Sequence, residues 1–169
     1  MSSARLFVAL WPDDAIGLEL ARRRDAWSWP RSASPVKTDR LHVTLHFLGD
    51  VKRELIAELS DALAVPFAPF ALELGQAKLW PHGIAVLDPV VVPAALMHLH
   101  ARLEKALAGS GIATDARAYR PHVTLARRAG GTMPPADAAP LRWQVGGYRL
   151  MESRPGADGG YFSLRGYPD

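Results

Sequence analysis

Leu41-His42-Val43-Thr44-Leu45-His46-Phe47-Leu48 is answered eighty residues later by Arg120-Pro121-His122-Val123-Thr124-Leu125-Ala126-Arg127, and both segments contain His-Val-Thr-Leu. Each is rich in β-branched and large apolar residues and is bounded by turn formers or charges, the composition of a strand. Side chains alternate along a strand, so His42 and Thr44 share one face while Val43 and Leu45 take the other. His122 and Thr124 stand in the same relation to Val123 and Leu125. Each copy presents an imidazole beside a hydroxyl, backed by an apolar face able to anchor in a core. Two such strands facing each other make a cleft with two histidines and two threonines. A repeated tetrapeptide alone carries little weight in 169 residues; titratable residue types in matching context carry more.

Working outward, residues 5–10 read as a buried strand, and Trp11-Pro12-Asp13-Asp14 as a turn. Asp13 or Asp14 then caps a helix running to about residue 27. A Pro- and Ser-containing loop over 28–39 leads to the first motif, and its Arg31 and Lys37 can approach an anion. A second helix spans 53–65, with Leu55, Ile56, Leu59 and Leu63 at the helical period. Residues 70–80 and 84–87 form a hairpin about Pro81-His82-Gly83. A third helix spans 93–108, followed by an Arg-bearing linker (Arg117, Arg120) and the second motif. After a Gly- and Pro-rich loop over 130–140, residues 141–153 and 160–166 read as two strands joined at 155–159. Strands paired by hairpins with interspersed helices predict an α+β fold with largely antiparallel sheet. Each motif strand follows a helix, which predicts an internal duplication: one domain over 1–169 made of two pseudo-symmetric lobes.

The bulk numbers set limits. Hydrophobic residues at 49% and charged residues at 22% are ordinary for a globular chain able to bury a sizeable core. A net charge of +3 mildly favours an anionic partner. The chain has no cysteine, which excludes disulfides, thiolate metal sites and cysteine nucleophiles. The apolar run over 6–11 is too short for a signal peptide or membrane span, so a cytoplasmic protein without membrane attachment is expected.

Two imidazoles can serve as general acid and base on a phosphate near neutral pH, and threonine hydroxyls can donate to its oxygens. The alternative is two ordinary strands with solvent-facing His and Thr. A protein-bound metal is not expected: on a strand His42 and His46 stand ~13 Å apart, and no His-Glu-x-x-His motif occurs. His46, His98 and His100 are expected at the surface, His82 in a turn. Lys37, Arg120, Arg127 and Arg128 are candidate phosphate cations. Phe7, Trp11, Trp80 and Tyr161 are candidate base-stacking platforms, although Phe7 lies in an apolar strand and reads first as core. No glycine-rich phosphate loop is present.

With these motifs the chain resembles the two-histidine (2H) phosphoesterases, and within them the RNA 2',3'-cyclic phosphodiesterases once called 2'-5' RNA ligases. The resemblance rests on residues 5–10, 41–49 and 120–127 and on the closing Glu152-Ser153 and Gly160-Tyr161. It implies two β-sheet lobes with outer helices around a central cleft. It also implies metal-independent, cofactor-free hydrolysis of an RNA or nucleotide 2',3'-cyclic phosphate to a 2'-phosphomonoester. A monomer with no obligate protein partner is the default expectation, since nothing in the sequence suggests an oligomer. His42 is then the acid toward the 3'-oxygen and His122 the base for water. Thr44 and Thr124 hold phosphate oxygens, Arg127 is the accompanying cation, and Phe7 and Tyr161 contact substrate. Ideal alternation puts Arg127 on the wrong face, so a bulge is required. His46 stands where relatives often carry Lys or Arg, which makes a phosphate contact there pH-sensitive. Ligation through a 2'-5' bond is the same chemistry reversed, and a non-catalytic nucleotide- or RNA-binding module is the alternative of a different class.

Overall fold

The computed structural model describes residues 2–136 and 138–169. The elements are β1 (Ser3–Leu10), α1 (Asp14–Asp25), β2 (Ser34–Pro35), β3 (Val43–Lys52), α2 (Ile56–Ala62) and β4 (Phe70–Trp80). They continue as β5 (Ile84–Pro89), α3 (Ala94–Gly109), β6 (Val123–Arg127), β7 (Leu141–Val145), β8 (Tyr148–Arg154) and β9 (Gly160–Tyr167). Every strand pairing is antiparallel, so the fold is α+β. Among the described residues, no helix is long and apolar enough to cross a membrane.

The strands run in the order β7-β4-β5-β6-β3-β1-β8-β9, with β2 added on β6. At the middle, β3 and β6 meet through one register pair, Val43 opposite Val123. Outward from this seam lie β3-β1-β8-β9 on one side and β6-β5-β4-β7 on the other, so the two motif strands are the innermost strands of two matching lobes. The helices exchange sides. α1 follows β1 of the first lobe, yet its Arg24 donates to the Val36 carbonyl (2.8 Å) beside β6, and its Arg23 to the Ala139 carbonyl before β7. α3 follows β5 of the second lobe, yet His100 stacks on His46 of β3 with ring centroids 4.0 Å apart. Leu6, Val8 and Leu10 of β1 and Val43 and Leu45 of β3 point into the core. They meet the stripe Leu96, Leu99, Leu103 and Leu107, spaced to share one face of α3. Each fully buried leucine stabilises the fold by about 1.5–3 kcal/mol.

Asp13 caps α1 as expected, accepting from the Ile16 amide at 2.8 Å. The second helix is shorter than its apolar period suggests. A 3₁₀ turn covers Arg53–Leu55, and α2 ends at Ala62. The Tyr148 hydroxyl then donates to the Leu63 carbonyl (2.6 Å) and accepts from the Val65 amide (3.0 Å), taking groups that a longer helix would use. The stretch 141–153 is two strands rather than one, broken at Gly146-Gly147, because β7 pairs with β4 while β8 pairs with β1. Five strands separate β7 from β8, ~29 Å on a flat sheet, whereas two linking residues reach only ~11 Å. The sheet therefore curls until its second-lobe edge meets the β8 side of the first.

At this crossing a Cβ on Gly147 would lie 2.2 Å from the Tyr167 carbonyl oxygen, while one on Gly146 would meet nothing within 4 Å. Gly147→Ala is expected to lower the denaturant-unfolding free energy by about 1–3 kcal/mol. Gly146→Ala should leave it nearly unchanged.

Candidate active site

The seam decides where the motif side chains stand. With Val43 opposite Val123, continuing the register sets His42 across from Thr124 and Thr44 across from His122. Diagonal neighbours on such a register, the relation of His42 to His122, have Cα atoms about 7–8 Å apart. All four side chains line one cleft of ≈ 570 Å³. Both imidazoles are held alike: the Nδ1 of His42 lies 2.7 Å from the Arg40 carbonyl, and that of His122 lies 2.8 Å from the Arg120 carbonyl. A carbonyl only accepts, so each Nδ1 carries the hydrogen and each Nε2 is left for other partners. His42 Nε2 is 3.0 Å from the Thr44 hydroxyl.

Arg127 lines the same cleft, and the register explains how. Ala85 pairs with Ala126 but Val86 pairs with Thr124, so Leu125 is the extra residue of a bulge. Leu125 and Ala126 are consecutively buried and Arg127 emerges on the histidine face. β3 does the same between Thr44 and His46, opposite Ala9 and Val8. His46 is consequently buried, not exposed, and its ring nitrogen lies 2.9 Å from the His100 carbonyl. His100 is half-buried rather than fully exposed, sandwiched between His46 and Tyr119 with centroids 4.0 Å from each. The pH-sensitive phosphate contact expected of His46 therefore has no geometric basis. Phe47, one residue on and 70% exposed, takes the cleft position that matches Arg127.

The aromatic candidates divide between the lobes. Phe7 is buried, yet it is part of the cleft wall in a small cluster with Ala9 and Met151, packed by Trp11 and Tyr161. Trp11 stacks flat on His42 (centroids 4.9 Å, 12°), and Tyr161 meets it edge-on (5.5 Å, 88°). Trp80 stands against His122 at 4.4 Å and carries Arg120 over its ring at 4.3 Å. Arg128 turns away at a positive φ of 53° and donates to Ser34, and Lys37 does not line the cleft. The cleft's further cations are Arg117, from the Arg-bearing linker, and Arg5 and Arg40, neither of which was singled out as a cation from sequence. Arg5 was legible, since alternation puts it on the Phe7 face.

Desolvation dominates the electrostatics. Burial pushes His42 down to about 4 against the pull of the Arg40 carbonyl, with His122 and Arg127 adding repulsion. Burial also lowers His122, opposed by the Arg120 carbonyl and by Asp88. Burial thus favours neutral rings, and an anion placed among Arg5, Arg40 and Arg127 raises their affinity for protons.

The family model of the 2'-5' RNA ligase superfamily matches residues 12–154. An RNA 2',3'-cyclic phosphodiesterase of Aeropyrum pernix is 32% identical over 134 residues, covering 73% of each chain. One of Escherichia coli K12 is 33% identical over 137 residues, covering 78% of this chain and 77% of its own. The crystal structure of E. coli LigT complexed with 3'-AMP superposes with a TM-score of 0.89 at 28% identity, covering 98% of both chains.

Proton linkage gives a stability test. A histidine held below its unfolded value binds fewer protons when folded, so its contribution is complete above about 6.5 and is lost as pH falls toward the folded value. For His42 that window runs from 6.5 down to about 4, and the contribution is on the order of 3 kcal/mol. The calorimetric melting temperature should fall steadily from pH 7 to pH 4, and less steeply in His42→Gln.

Proposed function

Because this chain belongs to the 2'-5' RNA ligase superfamily, we propose that it is an RNA 2',3'-cyclic phosphodiesterase acting without a metal or other cofactor. Its substrate is an RNA or nucleotide ending in a 2',3'-cyclic phosphate, and its product is the 2'-phosphomonoester. It works as one two-lobed unit over 1–169, as a monomer in the cytoplasm, with no obligate protein partner. The observation that most supports this reading is the cleft in which two His-x-Thr pairs stand across one seam.

His122 Nε2 takes a proton from water as the water oxygen bonds to phosphorus. The bond from phosphorus to the 3'-oxygen breaks, and His42 supplies a proton to that oxygen through its Nε2. Thr44 and Thr124 donate to the non-bridging oxygens, and Arg127 offsets the charge that grows on them. The hydrogen on each Nδ1, held by a backbone carbonyl, aims both Nε2 atoms at the substrate. Phe7 and Tyr161 wall the side where the ribose and base lie. The flat Trp11 ring on His42 restricts that imidazole to one orientation, which serves an in-line displacement.

Replacing His42 or His122 by Ala should each lower kcat by about 10²–10⁴-fold, and the wild-type rate should survive EDTA. The profile of kcat/KM against pH should be bell-shaped. A flat profile from pH 5 to 9, or near-wild-type hydrolysis by His122→Ala in EDTA, would overturn the scheme. Mass spectrometry of a cyclic-phosphate RNA incubated with a 5'-hydroxyl RNA separates hydrolysis from 2'-5' joining.

A further inference from the structure

The two halves of the cleft are alike in backbone and unlike in one cross-strand neighbour. In the first lobe Leu10 pairs with Val43 and Ala9 with Thr44, so the next residue, Trp11, stands across from His42. In the second, Leu87 pairs with Val123 and Val86 with Thr124, so the next residue, Asp88, stands across from His122. Where one imidazole has an indole beside it, the other has a carboxylate.

Asp88 is unusual in itself. It is only 8% exposed, in a chain where most acidic side chains reach solvent. One carboxylate oxygen meets Lys78 Nζ of β4 at 3.2 Å, and the other, Oδ1, is buried with no hydrogen-bond partner among the described residues. Burying a half-satisfied carboxylate costs stability. Lys78 is itself 47% exposed, too well hydrated to offset that cost fully.

We propose that Asp88 is a positioning residue that acts through His122, its buried carboxylate stabilising the imidazolium formed when that ring takes the proton of water. The proposal rests on the assignment of His122 as the base. Around His122 the charges are Arg120 just before it, Arg127 further along β6, His42 across the seam and Arg40 on the cleft wall, all cationic or able to become so, together with Arg117, which is paired at 2.6 Å with the exposed Asp115. Asp88 is thus the buried negative charge that offsets them, Asp115 being exposed and taken up by Arg117, and Lys78 on β4 tempers it. Asp88 stands on the adjacent strand and is not among the residues lining the cleft, so its charge can act on the ring without displacing substrate.

Proton titrations of the histidine rings by NMR, without substrate, test this directly. In Asp88→Asn the midpoint of His122 should fall by about one pH unit, while that of His42 stays in place. In Lys78→Met, which leaves the carboxylate untempered, the His122 midpoint should rise. With cyclic phosphate as substrate, the acidic limb of kcat/KM in Asp88→Asn should move to lower pH. Its plateau should drop about tenfold, against the roughly 10²–10⁴-fold cost of losing the imidazole. An unmoved His122 midpoint in folded Asp88→Asn, or equal shifts of both histidines, overturns the proposal. If Asp88→Asn does not fold, Lys78→Met decides alone by the sign of its shift. Titrations that behave as expected in a wild-type protein without turnover would sustain the Asp88–His122 coupling and reject the hydrolase reading.

Discussion

One backbone pairing holds the arrangement together. Val43 opposite Val123 is the point at which two otherwise separate half-sheets become neighbours. Both valines are fully buried, so their contact is locked by apolar packing and leaves the flanking faces free for polar side chains. Because a strand's side chains alternate, burying the valines drives the residues on either side into the cleft. The period of 2 does the rest. A slip of one residue on either strand would turn that strand's imidazole into the core and its valine into water, so the register that stabilises the fold also sets the geometry of the cleft.

The approximate twofold relation between the lobes does not extend to the surroundings of the two rings. His42 sits among Phe7, Trp11 and Tyr161, and His122 between Trp80, Arg120 and Asp88. Burial lowers both rings, and only at His122 does a nearby carboxylate, Asp88, oppose it. The bulges add a second asymmetry. The same local distortion delivers an arginine on one side, Arg127, and an exposed phenylalanine on the other, Phe47. At this one position the cleft is therefore cationic on one side and apolar on the other.

Much of this could be read from residues alone, and the limits have physical causes. The motif strands, the three helices and the antiparallel α+β class follow from periodicity, caps and turn residues. The curl of the sheet does not, because Gly146-Gly147 reads equally well as a flexible point in one strand or as a crossing between distant strands. Only the pairing of Leu141 with Leu74 and of Leu150 with Val8 separates these. His46 and His100 read as surface residues because a histidine's composition is neutral about burial. Their ring stack depends on α3 crossing to the other lobe, a long-range event. Arg127 was legible by resemblance but not by alternation, since a bulge leaves no mark in the residues it displaces. Asp88 was unreadable for the same reason: its neighbour is thirty-four positions away and is set by register.

The Gly146-Gly147 crossing has a mechanical meaning. The two lobes are joined at the valine seam and tied again, by the shortest of linkers, between β7 and β8. Two flaps hinged along one edge can gape; flaps also stitched at the far side cannot. The short tie therefore limits how far the lobes can part, and the cleft is shaped by the fold itself. Most of the entropy of aligning its groups was already spent when the chain folded.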